Sequence, residues 1–519
     1  MPRPPRAHAD AAPATTAERL GRLVKSARDI MRKDKGLNGD LDRLPMLTWI
    51  MFLKFLDDSE RVRETEAQLQ GTRFVPAIEA PYRWRDWAAP DDGISGDALI
   101  AFITNERAPR PDGTVGPGLF PYLRGLQGAD GGDRRDVIAT VFRGTTNRMI
   151  NGYLLRDVIN KVDEIHFASS TEIHTLGALY ETMLREMRDA AGDSGEFYTP
   201  RPVVRFMVQA VDPRLGETVL DPACGTGGFL VESYTHLLEQ ARTVEDRETL
   251  GTSIIGGEAK PLPYLLSQMN LLLHGVEYPR ISTGNSLATR IAEIGERGRV
   301  DVILTNPPFG GEEEAGIRDN FPPDRRTSET ALLFLQLIMR KLRRNPRQGY
   351  GPARAGVVVP NGTLFGDGVA GRIKQELLTE FNLHTIVRLP NGVFAPYTSI
   401  PTNLLFFERT GRPTENVWYY ELPAPEGRKQ YTKTAPIRLE DLSDCLTWWG
   451  NRTETERAWR VPAQSLLEAN CNLDRKNPQS ATGIEQDSPE ELIARMIEND
   501  HRILELLDQI RHTVGELTG

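Results

Sequence analysis

Apolar residues near the start of the chain recur three and four apart. Leu20, Leu23, Val24, Ala27, Ile30 and Met31 make one stripe, and 47–56 makes a second, more apolar one. Residues at that spacing share one face of a helix, so two helices are predicted there. Over 71–136 the pattern dissolves into Gly, Pro and Asp, which predicts a loop-rich stretch, and over 137–165 helical spacing returns. Together these segments outline an N-terminal helical domain over 17–165, with two readings open: clamping of a ligand or contact with a partner, or a scaffold packed on the rest of the chain. The Pro- and Ala-rich residues 1–16 before it are expected to be a disordered tail. A further stripe of Ile173, Leu176, Leu179, Met183, Leu184 and Met187 predicts a helix over 171–187 whose methionines belong to the core.

Beyond residue 217 the period changes. Short apolar runs at 218–221, 253–257, 300–304 and 356–360 read as strands, with a strand end near 283–287. Between them lie helical patterns: one carrying Leu230, Leu237, Leu238 and Ala241, one over 260–274 and one over 330–342. Alternation of this kind predicts an α/β fold, a doubly wound Rossmann-like sheet with ligands at the carboxyl ends of its strands. We assign it to 166–480. At the far end, Ser488-Pro489-Glu490-Glu491 forms a capping box, and Leu492, Met496, Asn499, Ile503, Leu506 and Ile510 continue in 4,3,4,3,4 spacing. This predicts a C-terminal coiled-coil-like helix over 481–519 for subunit contact, or one folded back on the body.

A chain of 519 residues exceeds one ordinary domain, which fits two or three units. Its formal charge of −9 is unusual for a protein that grips nucleic-acid phosphates alone, because nonspecific affinity comes from Lys and Arg. Arg325, Arg326, Arg428, Lys429 and Lys433 are candidates for a local basic groove; otherwise a partner supplies the grip. Cys224, Cys445 and Cys471 are too scattered for a metal site or a disulfide framework, which points to a reducing cytoplasm, and no metal is expected. No signal peptide or membrane-length apolar run is seen.

Candidate chemistry centres on Asn306-Pro307-Pro308-Phe309, directly after the 300–304 run. Asn306 offers a carbonyl acceptor, Pro307 a main-chain acceptor and Phe309 a stacking face, which together suit the exocyclic amine of a planar base. That amine is a poor nucleophile because its lone pair is delocalised, so two acceptors that orient it favour direct methyl transfer. Asp221-Pro222-Ala223-Cys224-Gly225-Thr226-Gly227 joins the first strand to a helix; its glycines permit close approach, and its carboxylate suits a cationic amino-acid ligand better than a pyrophosphate. Glu258, 37 positions after Asp221, stands where an acid can take ribose hydroxyls. Asn285, past a strand end, either approaches the ligand's adenine or forms a turn.

Missing motifs narrow the field. No Pro-Cys pair exists for methylation at cytosine carbon 5, and no Gly-Lys pair for ATP-driven translocation. Glu258-Ala259-Lys260 lacks the upstream Pro-Asp of a nuclease site. With these features in order, the chain resembles the methylation subunits of type I DNA restriction–modification systems, which are adenine-specific methyltransferases. The similarity extends to Gly195-Glu196-Phe197-Tyr198-Thr199-Pro200-Arg201, Val357-Val358-Val359-Pro360-Asn361-Gly362, Val393-Phe394-Ala395-Pro396-Tyr397-Thr398 and Asn472-Leu473-Asp474. It implies S-adenosyl-L-methionine as cofactor, held by Glu196, Phe197, Tyr198, Thr199, Pro200, Arg201, Asp221, Gly225, Thr226, Gly227, Glu258 and Asn285. It implies catalysis by Asn306, Pro307, Pro308 and Phe309 on a base flipped out of double-stranded DNA. It further implies two copies of this chain per specificity subunit, a possible restriction/translocase subunit, and no membrane. Methyl transfer to an RNA base, a cytosine amine or a protein glutamine, and a non-catalytic DNA-clamping or assembly role, are the alternatives.

Overall fold

The computed structural model describes residues 15–479 apart from 91–92, 129–133, 168–169, 192–197 and 399. The predicted C-terminal helix over 481–519 and positions 1–14 of the predicted tail lie outside the described residues. Thr15 and Thr16 correct the tail boundary: Thr15 accepts from the Glu18 amide at 3.2 Å and Glu18 accepts from the Thr15 amide at 3.0 Å, a capping box that starts helix α1, Thr16–Met31.

The helical region continues with α2, Asp40–Gln70. The expected loop-rich stretch over 71–136 instead holds helices α3, Gly96–Thr104, and α4, Leu119–Arg124, and reaches the first turn of α5, Arg134–Arg143. These pieces are too short to show clear periodicity, and they are held by burial: Trp49 meets Phe120 edge-on at 5.1 Å, and Phe120 meets Phe142 at the same distance. Helix α6, Gly152–Asp163, and helix α7, Ser170–Ala191, pack on α1. Among the described residues no helix is long and apolar enough to cross a membrane.

Helix α8, Arg201–Val211, leads into a nine-stranded sheet. Its strands are β1 Val219–Asp221, β2 Ile254–Glu258, β3 Arg280–Thr283, β4 Val302–Thr305, β5 Arg354–Pro360, β6 Asn382–Arg388, β7 Thr402–Glu408, β8 Asn416–Glu421 and β9 Ala458–Pro462. The order is β9-β8-β6-β7-β5-β4-β1-β2-β3, parallel except that β7 runs against β5 and β6, and β9 against β8. Val219 on β1 lies opposite both Ile254 and Val302. The chain winds outward from β1 through β2 to β3, then returns to β4 on the other side of β1. The topological switch point therefore falls between β1 and β4, where doubly wound sheets bind ligands.

Alternation along the strands divides the interior. Val302, Leu304, Val358, Leu404 and Phe406 enter one core, while Ile303, Val357, Val359, Leu405 and Phe407 enter the other. The first core also contains α8, α9 (Gly228–Leu238) and α10 (Pro261–Leu273), and it is continuous with the helical region from Leu20 onward. The second is covered by α11, Thr330–Lys341, and α12, Gly368–Glu380. Burying each large apolar side chain contributes about 1.5–3 kcal/mol.

Candidate active site

Asp221 is the last residue of β1, and the turn after it is closed by hydrogen bonds from the Gly227 amide to the Cys224 carbonyl (2.7 Å) and from the Cys224 amide to the Gly257 carbonyl on β2 (2.9 Å). Gly225 and Gly227 have φ of 54° and 78°, the left-handed region that favours glycine. At Gly228, the first residue of α9, a Cβ would stand 1.9 Å from Arg201 Nη1, so the missing side chain is what admits the guanidinium. The Asp221 carboxylate accepts from Thr305 Oγ1 at 2.6 Å and from the Ala223 amide at 3.1 Å, which ties the end of β1 to the end of β4. Burial outweighs those bonds and pushes the Asp221 carboxyl up to about 7.

Glu258 closes β2. Its two carboxylate oxygens accept from the Gly225 amide at 3.0 Å and the Lys260 amide at 2.7 Å, and burial raises its pKa. The two acids thus flank the glycine loop from adjacent strands.

Asn306 comes directly after β4. Its Nδ2 donates to Thr199 Oγ1 at 3.1 Å, which fixes the amide; its buried Oδ1 has no hydrogen-bond partner among the described residues. A buried acceptor of this kind costs about 1–3 kcal/mol until something donates to it. Pro307 is buried and Pro308 exposed, while the half-buried Phe309 ring is held by Phe394 at 5.5 Å, edge-on, and Tyr397 at 5.9 Å.

Asn306 separates two small cavities. One, of about 70 Å³, is lined by Gly225, Glu258, Lys260, Asn306–Phe309 and Tyr397; the other, of about 20 Å³, by Thr199, Arg201, Asp221, Thr226 and Phe229. The roomier recess of about 820 Å³ beside Arg340 and Arg409 shares no residue with them and lacks the acid and amide groups of this site.

Of the predicted residues, Thr199, Arg201, Asp221, Gly225, Thr226, Glu258 and Asn306 to Phe309 converge here. Gly227 caps α9, and Pro200 precedes α8. Tyr198 lies against Arg201, whose guanidinium carbon is 4.4 Å from its ring centre. Glu196 and Phe197 lie outside the described residues. Asn285 takes the turn role: its Oδ1 accepts from the Leu287 amide at 2.9 Å, its Nδ2 donates to Glu313 at 3.1 Å, and it lines neither cavity. Of the basic-groove candidates, Arg325 and Arg326 line the roomier recess together with Arg290, Arg340 and Arg409. Arg325 pairs with Glu376 and Arg326 with Asp319 at 2.9 Å, while Lys433 donates to the Asp189 carbonyl at 2.8 Å and is not among the residues lining that recess. Thr305, Tyr397 and Lys260 join the site without having been legible as site residues in sequence, although Tyr397 stands in one of the stretches that carry the family resemblance.

A glycine loop and two strand-end acids at the switch point, next to an Asn-Pro-Pro-aromatic turn, define a methyltransferase acting on a base amine. Residues 171–487 match the family model described as N-6 DNA Methylase, and 20–162 match the HsdM N-terminal domain. The Type I restriction enzyme EcoEI methylase subunit of Escherichia coli is 46% identical over 506 residues, 96% of this chain and 98% of that protein. A modification subunit ascribed to a type I restriction enzyme of Vibrio vulnificus YJ016 has a TM-score of 0.80 at 68% identity, covering 91% of this chain and 99% of that one. A chain solved in a study of complex assembly and conformational transition of the type I R-M system gives 0.80 at 40% identity, covering 97% and 99%. The chain belongs to the N-6 DNA methylases and, within them, to the methylase subunits of type I restriction enzymes, which makes it an adenine-specific DNA methyltransferase. The family is S-adenosylmethionine-dependent.

Proposed function

We propose that the chain binds S-adenosyl-L-methionine around its glycine loop and methylates the exocyclic amine of a flipped adenine at Asn306-Pro307-Pro308-Phe309. The observation that carries this reading is the buried Asn306 Oδ1, which lacks a donor among the described residues while its Nδ2 is fixed by Thr199. The donor set fits the cofactor: Asp221 suits its cationic amino-acid end, Glu258 its ribose hydroxyls, and the Gly225–Gly228 turn leaves the backbone bare. Cofactor-sized ligands need roughly 300 Å³ or more, more than either of the two small cavities offers by itself. S-adenosylmethionine, when bound, supplies the electrophilic methyl group.

The rest of the chemistry is done by the chain's own residues. A stacked adenine cannot present its amine, so the base must leave the duplex, and the Phe309 face is available to stack on it. Asn306 Oδ1 and the Pro307 carbonyl accept the two N–H bonds and hold the lone pair toward the methyl donor. As the amine gains positive charge its N–H groups become stronger donors, so both acceptors stabilise the transition state more than the ground state. The surplus proton then passes to water.

The proposal extends to the assembly. The chain works in the cytoplasm on double-stranded DNA, as two copies with one specificity subunit and, where present, a restriction/translocase subunit. The helical domain over 17–165 and the segment 481–519 serve DNA or subunit contact, and 166–480 the chemistry. The net charge of −9 supports dependence on a partner for DNA grip. The test is transfer of labelled methyl to unmethylated DNA, with and without the specificity subunit, with the product nucleoside identified. Methyladenine formed only with the partner is expected; methylcytosine, or transfer to RNA or protein, would replace the reading. Asn306→Ala should lower transfer by about 10²-fold or more while cofactor affinity stays within about tenfold; equal loss of both would remove the role given to Asn306.

A further inference from the structure

We infer that Glu181, on α7, is a positioning residue for methyl transfer: it seats Arg201 and Asn270 against the glycine loop and so sets the geometry of the cofactor's seat. Its carboxylate accepts from Arg201 Nε at 2.6 Å, Arg201 Nη2 at 2.8 Å and Asn270 Nδ2 at 2.7 Å, with both ion-pair side chains less than a fifth exposed. Each of its partners touches the site. Asn270 Nδ2 also donates to the Thr226 carbonyl inside the loop at 2.9 Å. Arg201 Nη1 donates to the Thr199 carbonyl at 3.2 Å and fills the space over Gly228, and Thr199 in turn holds Asn306. Burial works against the charge on Glu181, but the Arg201 guanidinium more than offsets it, and the carboxyl stays below its ordinary range.

The opposite side of α7 belongs to the helical domain. Tyr180, next in sequence to Glu181, shares a hydrogen bond with Thr48 Oγ1 of α2 at 3.1 Å, and Glu186 pairs with Arg28 of α1 at 2.7 Å. One helix thus places a carboxylate under the loop while its other groups are anchored in α1 and α2. Packing alone would be served by apolar side chains, since a buried ion pair is weak support for stability compared with well-packed hydrophobic residues. What the pair supplies is direction: three hydrogen bonds from two donors that both continue into the loop.

This inference rests on the reading of the loop and the 198–201 segment as the cofactor's seat. The experiment uses the full chain assembled with its specificity subunit, and measures KM for S-adenosylmethionine, kcat and Tm for the unaltered protein, Glu181→Gln and Asn270→Ala. Glu181→Gln keeps the shape and loses the charge, while Asn270→Ala removes the bridge to Thr226 without unpairing a charge. Both are expected to raise KM for S-adenosylmethionine at least tenfold, with kcat changed less than KM. A lowered Tm with KM and kcat per folded molecule within twofold of the unaltered protein would show a merely structural pair and overturn the inference. If Glu181→Gln does not fold, Asn270→Ala decides alone by the same criterion. Failure of the unaltered complex to bind the cofactor would instead overturn the seat itself, and the inference with it.

Discussion

Asp221 shows at the scale of one residue how a site differs from its letters. Its position at the end of an apolar run was visible in sequence, as were those of Glu258 and Asn306, because each ends or comes directly after a strand. Its protonation was not, since that depends on burial and on Thr305, which is 84 positions away. The carboxyl titrates at about 7 when folded against an ordinary 3.8, so between those values the folded protein holds a proton that the unfolded chain has lost. A raised pKa of this kind gives stability that is full below the unfolded value and lost as pH rises through the folded one. The ligand-free chain should therefore lose stability from this group as pH rises toward 7, and Asp221→Asn should flatten that part of the Tm-against-pH curve. Parallel curves for the two proteins would contradict the assigned titration.

Among elements, β1, β2, β4 and β5 were legible as short apolar runs and β3 by its end, whereas β6 to β9 were not picked out; alternation along the strands is what divides the two cores. The short helices over 96–104 and 119–124 were not legible. Each carries only a few apolar side chains, and what holds Phe102 and Phe120 in place is the aromatic surface around Tyr82, Trp87 and Trp49. Junctions between elements were equally silent. At the first residue of β5, Arg354 Nη1 and Nη2 both donate to the Glu217 carboxylate at 2.8 Å, while its Nε and Nη2 reach the Val211 and Asp212 carbonyls at the end of α8 at 2.7 Å. Glu217 is 1% exposed, so removal of its partner leaves a buried charge. Arg354→Ala should destabilise the chain by about 3–5 kcal/mol in denaturant unfolding, and a cost under about 1 kcal/mol would mean that water screens the pair.

For the whole molecule, the division into a helical region and a sheet is real in sequence pattern and blurred in packing. Helix α10, from the sheet half, packs on α2, α5 and α7, and the apolar core runs without a break from Leu20 to the sheet face that carries Leu304 and Phe406. Two units that share a core should unfold together. Scanning calorimetry of the full chain is expected to show one cooperative transition, and a piece beginning at residue 170 should be markedly less stable because Leu176, Tyr180 and Leu184 lose their cover. Two separable transitions would instead show that the halves are stable independently.

By itself the sequence determined the class of fold, the order of the chemistry along the chain and the residues that end at the switch point. These come from local rules: side-chain period, turn residues, and an acid or amide directly after a strand. Only the tertiary structure decided which of those residues support one another. Thr199 and Asn306 are 107 positions apart, Thr305 and Asp221 84, and Arg201 and Glu181 20. Local pattern carries no information about such pairs, because the energy that joins them is gained only once packing has brought distant segments together and removed the water between them.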